Sequence, residues 1–171
     1  MEQMNFTCCF TGHRQISPEA MAAVYEELKR VVDILIRSGV RNFRTGGALG
    51  FDTLAALTVL DRRKEDPSIK LELCIPCANQ PSGWGDEDKA LYEYIKSQAD
   101  KVTVLRERFV KGCMHVRNRY MVNGSHYCVA YCVRREGGTA YTVDYAQKNG
   151  VKVIDLALLI NNRSDDPCFL L

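Results

Sequence analysis

Residues 40–64 read VRNFRTGGALGFDTLAALTVLDRRK, and this stretch decides the fold class. Residues 40–45 have the length and composition of a short strand. From Phe51 to about Lys64 the residues are typical of a helix that is apolar on most sides. The glycines between these two segments mark a tight strand-to-helix turn. The stretch therefore predicts one strand–helix unit of an α/β domain.

The same alternation recurs along the chain. Strands are predicted over residues 6–11, 40–45, 69–75, 101–105, 126–131 and 151–156. Helices are predicted over residues 18–38, 51–64, 89–98, 114–123 and 139–148. Six strands that alternate with five helices indicate a three-layer α/β fold with a mostly parallel sheet, for which we expect the strand order 4-3-2-1-5-6. No linker or repeat divides residues 1–171, so a single domain is expected, with residues 157–171 unassigned.

The composition is that of an ordinary globular protein. The chain has 171 residues, of which 46% are hydrophobic and 26% charged, close to average usage. No window reaches the ~18 apolar residues of a membrane-spanning helix, and the first residues lack the pattern of a signal peptide. We therefore expect a cytoplasmic protein without a membrane partner. Its eight cysteines are expected to be reduced thiols, because several lie in apolar runs.

Basic residues are concentrated in one part of the chain. The net charge of +2 is too small to indicate a nucleic-acid or membrane partner. Residues 101–119, however, contain six Lys and Arg residues against Glu107 alone. This segment is where an anionic ligand is expected.

Three glycine-containing loops follow predicted strands. In a doubly wound sheet, ligands bind beyond the carboxyl ends of the strands. The loop residues expected to bind the ligand are Thr11, Gly12, His13 and Arg14 after the first strand, Gly46, Gly47, Ala48 and Gly50 after the second, and Gly137, Gly138 and Thr139 after the fifth. Glycine lets backbone N–H groups approach a phosphate, and the following helix adds the positive end of its dipole. A single loop of this kind is explained equally well as a tight turn. Three such loops at one edge of the sheet favour the binding of a phosphorylated ligand.

The glycine pattern argues against two common kinds of nucleotide-binding site. GGALG matches neither the GxGxxG pattern of dinucleotide-binding folds nor the P-loop, so a dehydrogenase or P-loop NTPase is disfavoured. The spacing of Cys74 and Cys77 has no second pair to complete a zinc site, so no metal is expected. No cofactor is expected either.

Four side chains outside these loops are further candidates. Arg117, Asn118 and Arg119 lie together in a short predicted helix, and the planar guanidinium group suits a phosphate. Residues two apart on a helix point to different sides, so only one of the two arginines is expected to reach the ligand. Trp84, in a polar loop, either stacks on a base or packs back onto the domain.

Three motifs resemble a known superfamily. The segments TGGALGFD (45–52), RNRYMVNGSHYCVAYC (117–132) and EGGTAYTVDYA (136–146) resemble the SLOG superfamily, and the chain from Phe6 to Asp155 is most similar to its YpsA-type uncharacterised bacterial family. This resemblance implies a Rossmann-like domain and a nucleotide-like ligand. GGALGFD is similar to a segment of the DNA-processing protein DprA, which binds single-stranded DNA. MHVRN (114–118) is similar to a helix of the LOG phosphoribohydrolases.

The resemblance to the LOG enzymes is incomplete. Their catalytic glutamate corresponds to Thr142 here, which leaves Glu136 and Asp52 as the carboxylates that could be catalytic. Asp52 has an alternative role as a first-turn acid that favours the helix dipole. Because hydrolysis of an N-glycosidic bond needs a placed acid or base, the missing glutamate favours binding over catalysis.

The sequence thus predicts a sensor or binding protein for a phosphorylated nucleotide or a nucleotide-derived ligand. One alternative is a nucleoside-monophosphate N-glycosidase that uses Glu136 or Asp52. A second alternative is single-stranded DNA binding. A homodimer is left open.

Overall fold

The structure, a computed structural model that describes residues 5–164, contains one six-stranded sheet. The strands are β1 (Phe6–Gly12), β2 (Val40–Thr45), β3 (Lys70–Ile75), β4 (Lys101–Val104), β5 (Tyr127–Tyr131) and β6 (Lys152–Asp155). Their order in the sheet is β4-β3-β2-β1-β5-β6, which confirms the predicted order. Every neighbouring pair is parallel. The Rossmann-like α/β architecture is therefore also confirmed.

In residues 5–164, six helices cover the two faces of this sheet. They are α1 (Pro18–Arg37), α2 (Phe51–Glu65), α3 (Asp86–Gln98), α4 (Cys113–Val122), α5 (Gly138–Lys148) and α6 (Leu156–Ser164). Helices α6, α1, α2 and α3 pack side by side in one layer, and α4 packs against α5 in the other. Among residues 5–164, no helix has the length and apolar character needed to cross a membrane.

Local sequence signals explain the first strand and helix. Residues 8–11 of β1 are buried, as expected for an apolar strand that is covered on both faces. The Ser17 hydroxyl accepts a hydrogen bond from the Ala20 N–H at the start of α1, and Pro18 occupies the first turn. This combination satisfies one free backbone donor and fixes the first φ angle.

Two helices differ from the expectation. Helix α3 begins at Asp86 rather than at Lys89, because three acidic residues in its first turn favour the positive end of the helix dipole. The unassigned segment from residue 157 belongs in part to α6, which follows β6 without an intervening loop and buries Leu156 and Ala157. Residues 165–171 lie outside the described residues.

The strand order creates a crevice between β1 and β5. These strands are neighbours, with Phe10 beside Val129 and Gly12 beside Tyr131. After β1 the chain enters α1 on one face of the sheet, whereas after β5 it enters α5 on the other face. The two loops therefore diverge between β1 and β5, and we call this place the switch point. Open α/β sheets bind their ligands at such a point.

Candidate functional site

A cleft of about 810 Å³ lies at this switch point. Twelve of the residues expected from the sequence line it: Thr11, Gly12, His13, Arg14, Ala48, Asp52, Arg117, Asn118, Glu136, Gly137, Gly138 and Thr139. The other lining residues are Phe10, Gln15, Met114, Met121 and Arg134. The structure therefore brings together parts of all three glycine-containing loops and one side of α4.

Five expected residues lie outside the cleft wall: Gly46, Gly47, Gly50, Trp84 and Arg119. The Trp84 ring packs edge-on against Tyr92, with centroids 5.5 Å apart, which is the packing alternative stated above. The Arg119 guanidinium donates to the Tyr141 hydroxyl at 2.8 Å. Only Arg117 of the arginine pair therefore faces the cleft.

The GGALG loop directs its N–H groups to the protein's own side chains. The Ala48 N–H donates to Asp52 Oδ2 at 3.2 Å, and the Gly47 N–H donates to Thr45 Oγ1 at 3.3 Å. The Gly46 backbone also hydrogen-bonds the Asp52 carboxylate. The Asp52 carboxylate therefore accepts from loop N–H groups that were expected, from the sequence, to bind a phosphate.

Gly46 is required by the close approach of two charged groups. A Cβ atom at this position would lie 2.4 Å from Arg117 Nη1 and 2.8 Å from Asp52 Oδ2. The Arg117 guanidinium donates to the Gly46 carbonyl and, through Nε, to Asn118 Oδ1 at 2.8 Å. Glycine therefore leaves room for the guanidinium and the carboxylate on the side where a Cβ would lie.

Gly12 and Gly50 serve the packing of the β1–α1 loop against α2. A Cβ at Gly12 would lie 2.3 Å from the Phe51 ring, and one at Gly50 would lie 2.3 Å from the Arg14 carbonyl oxygen. Gly50 also has a φ of 75°, in the left-handed region that favours glycine. The Phe51 N–H donates to the His13 carbonyl at 3.1 Å. These contacts fix the backbone at Arg14.

The start of α5 is open to the cleft. No side chain caps this helix end, and the first N–H groups of a helix have no acceptor within the helix. A Cβ at Gly138 would meet no heavy atom within 4 Å, whereas Gly137 has a φ of 91° that favours glycine. The second GG pair therefore differs from the first, because the space beside its Cα atoms is open.

Three arginines contribute positive charge to the cleft. Arg117 is only 5% exposed, and burial lowers its pKa while the Asp52 charge opposes that effect. Burial raises the pKa of Asp52, whereas Arg117 and the Ala48 N–H act in the opposite direction. Arg14 and Arg134 are exposed, and neither side chain forms a hydrogen bond or ion pair within residues 5–164. These two charges are available to a ligand.

His13 and Asp155 hold the loop that carries Arg134. The Val133 N–H donates to His13 Nε2 at 3.0 Å. Asp155 Oδ1 accepts from the N–H groups of Cys132 at 3.1 Å and Ala157 at 3.0 Å. Because Nε2 accepts a hydrogen bond, the His13 imidazole is neutral and carries its proton on Nδ1. Burial and the charge of Arg134 lower the pKa of His13, and Asp155 raises it.

The sequence missed Arg134, Asp155 and Gln80. Arg134 lies two residues before Glu136 and could have been found by inspecting the polar residues ahead of the second GG pair. Gln80 Nε2 donates to the carbonyls of Gly47 at 3.1 Å and Gly46 at 3.3 Å, a long-range contact without a local signal. Of the basic residues in 101–119, only Arg117 lines the cleft.

The all-parallel sheet and its switch-point cleft define a Rossmann-like α/β protein. A family model described as the YspA SLOG family (YpsA) matches residues 9–159, and the chain belongs to this family. A UPF0398 protein of Bacillus thuringiensis (strain Al Hakam) is 28% identical over 130 residues, which cover 74% of this chain and 71% of the relative. A UPF0398 protein of Bacillus cereus (strain AH820) is 27% identical over 130 residues, with the same coverage of both chains.

Two solved structures share the fold. DNA processing protein A (DprA) of Streptococcus pneumoniae superposes with a TM-score of 0.62 at 18% identity, over 87% of this chain and 49% of that chain. The chain thus spans about half of that protein. DprA of Helicobacter pylori, described for its single-stranded DNA binding mode, has a TM-score of 0.61 at 17% identity, over 93% of this chain and 73% of that chain.

Proposed function

We propose that the protein binds a nucleotide-like ligand in the switch-point cleft, with the phosphate at the start of α5. The observation that carries this proposal is the pair of unpaired arginines, Arg14 and Arg134, in the same cleft as the uncapped N–H groups of Gly138 and Thr139. Backbone donors and the helix dipole favour an anion there. Arginine adds a planar fork of donors that matches phosphate oxygens.

The size and surface of the cleft suit a ligand larger than inorganic phosphate. Its volume of about 810 Å³ lies within the ~300–1,000 Å³ of small-molecule sites. Met114 adds partly exposed apolar surface beside the charged residues, whereas Phe10 and Met121 lie buried behind it. A ligand with one anionic end and one apolar end, as a nucleotide has, satisfies both parts of the lining.

Binding, rather than hydrolysis, is the activity we propose. The resemblance to the LOG enzymes sets Thr142 at the position of their glutamate, and the Thr142 hydroxyl donates to the Gly138 carbonyl at 2.8 Å. The Asp52 carboxylate accepts from Ala48, which supports the structural alternative for this residue. Glu136 lines the cleft on an exposed loop. We expect no release of free base from adenosine monophosphate, because neither carboxylate is held as a general acid toward a ribose.

The proposal is tested by Gly138→Val. The side chain would project into open space in the cleft and displace a phosphate without disturbing the core. We expect affinity for adenosine or guanosine monophosphate, measured by calorimetry, to fall at least about tenfold. Gly85→Val is the matched control, since Gly85 is the N-cap of α3 and is equally unobstructed. Equal affinity in the wild type and folded Gly138→Val would refute the proposal.

Single-stranded DNA is the second candidate, favoured by a surface next to β4. Phe109 is 60% exposed between Arg108 and Lys111, and its N–H donates to Asn79 Oδ1 at 3.0 Å. An exposed aromatic ring among basic residues is typical of a base-stacking surface. Three strand spacings separate β4 from β1, about 14 Å, which a short oligonucleotide spans.

Salt dependence separates the two candidates. Each phosphate that a protein neutralises on a single strand contributes a slope of about −0.7 in log affinity against log salt. For the proposed mononucleotide we expect the shallow slope of one or two charges, with Phe109→Ala without effect. A steep slope for an oligonucleotide, together with a loss of its binding in Phe109→Ala, would instead establish the DNA-binding function.

A further inference from the structure

We propose that a second, apolar cavity beside the cleft receives the base of the same ligand. This inference rests on the function proposed above and adds where the uncharged end of the ligand lies. The cavity has a volume of about 330 Å³ and lies between α1, α2 and α3. We call it the leucine pocket, after Leu54, Leu57 and Leu91 in its wall.

The leucine pocket and the cleft share Arg14. This residue lines both cavities. Its backbone is fixed by the close approach of Gly50, whereas its exposed side chain has no hydrogen-bond or ion-pair partner in residues 5–164. A single ligand at this residue therefore contacts the charged cleft on one side and the apolar pocket on the other.

The apolar surface of the pocket suits a flat, uncharged group. Leu54, Leu57 and Leu91 are partly buried against the main hydrophobic core, and Met21 at the pocket wall is 40% exposed. Apolar side chains left partly open to water gain free energy when a base covers them. The pocket is large enough for that role, at the lower end of small-molecule cavities of ~300 Å³ and above.

Charge determines which end of the ligand enters the pocket. Asp88 lines the pocket and has no ion-pair partner among the described residues. Its carboxylate repels a phosphate but accepts hydrogen bonds from the N–H groups of a base. Arg134 lies on the cleft side. The phosphate is therefore directed to α5, and the base to the leucine pocket.

The test fills the pocket without disturbing the core. Met21→Trp adds an aromatic ring at a position that is already partly exposed, and Leu158→Trp is the matched control at an exposed position of α6. Two probes are compared by calorimetry: guanosine or adenosine monophosphate, which carry a base, and ribose 5-phosphate, which does not. We expect Met21→Trp to weaken nucleotide binding about tenfold and to leave ribose 5-phosphate affinity unchanged, with no effect of Leu158→Trp.

The two proposals fail in different ways. If Gly138→Val weakens both probes but Met21→Trp weakens neither, or weakens both equally, the base does not occupy the leucine pocket and this inference is overturned. If Gly138→Val changes neither probe, the phosphate position itself is refuted. Methyl NMR of the wild type gives an independent readout, because nucleotide but not ribose 5-phosphate should shift the methyl signals of Leu54, Leu57 and Leu91.

Discussion

Arg117 and Arg134 both line the cleft, but they differ in burial and in their hydrogen-bond partners. Arg117 is buried, donates to the Gly46 carbonyl and lies near Asp52. Arg134 is exposed and without a partner in the described chain. A buried charge whose hydrogen bonds are formed within the protein supports the folded state. An exposed charge without a partner is available to a ligand. Sequence reasoning identified the first of these residues and missed the second.

Because of this difference, we expect substitution of Arg117 to lower the stability of the fold and substitution of Arg134 to lower the affinity for a nucleotide. Arg117→Met removes one donor to the Gly46 carbonyl and the positive charge beside the Asp52 carboxylate, and we expect it to lower the free energy of unfolding by about 2–4 kcal/mol. Arg134→Ala is expected to leave that free energy unchanged and to weaken nucleotide binding by about 1.5–3 kcal/mol. Urea titration and calorimetry measure the two effects. Unfolding at wild-type denaturant concentration in Arg117→Met would show that its contacts are dispensable.

At the scale of the elements, local signals predicted the sheet and most helices. The apolar run of β1 and the Ser17–Pro18 start of α1 are short-range patterns, and both lie where the sequence predicted them. The contact of Arg117 with the Gly46 carbonyl was not predictable, because the two residues lie seventy-one positions apart and no local pattern joins them. Helix α6 was missed because no turn residue separates it from β6.

For the molecule as a whole, the switch point is the organising feature. The alternation of strands and helices was sufficient to predict the strand order and the edge at which the loops meet. It was not sufficient to predict which glycines are left unobstructed, since that depends on what packs opposite each one. Phe51, Arg117 and the Arg14 backbone occupy the space in front of the first two loops, and only the β5–α5 loop is left open.

The contact between the β1 and β5 loops predicts a dependence on pH. His13 has a lowered pKa in the folded state, so the fold favours the neutral imidazole that accepts from Val133. Its contribution to stability is present above the unfolded pKa of about 6.5 and is lost as the pH falls through the folded pKa.

The measurement is urea denaturation at pH 7.5 and pH 5.5. We expect the free energy of unfolding to fall between these values, by no more than the ~1.4 kcal/mol per pH unit of one proton, and His13→Gln to reduce this fall. An unchanged pH dependence in His13→Gln would exclude the histidine as its source. Arg134 and Asp155, which also act on His13, remain in both proteins.

The Asp52 carboxylate within the GGALG loop has a consequence for the energetics of recognition. Because the chain supplies its own anion to these donors, the N–H groups on the α2 side of the cleft are already paired before a ligand arrives. In the proposed binding mode the phosphate instead meets the β5–α5 loop, where residues 133–138 are exposed. A preorganised wall of the kind on the α2 side lowers the entropic cost of binding for any ligand that contacts it.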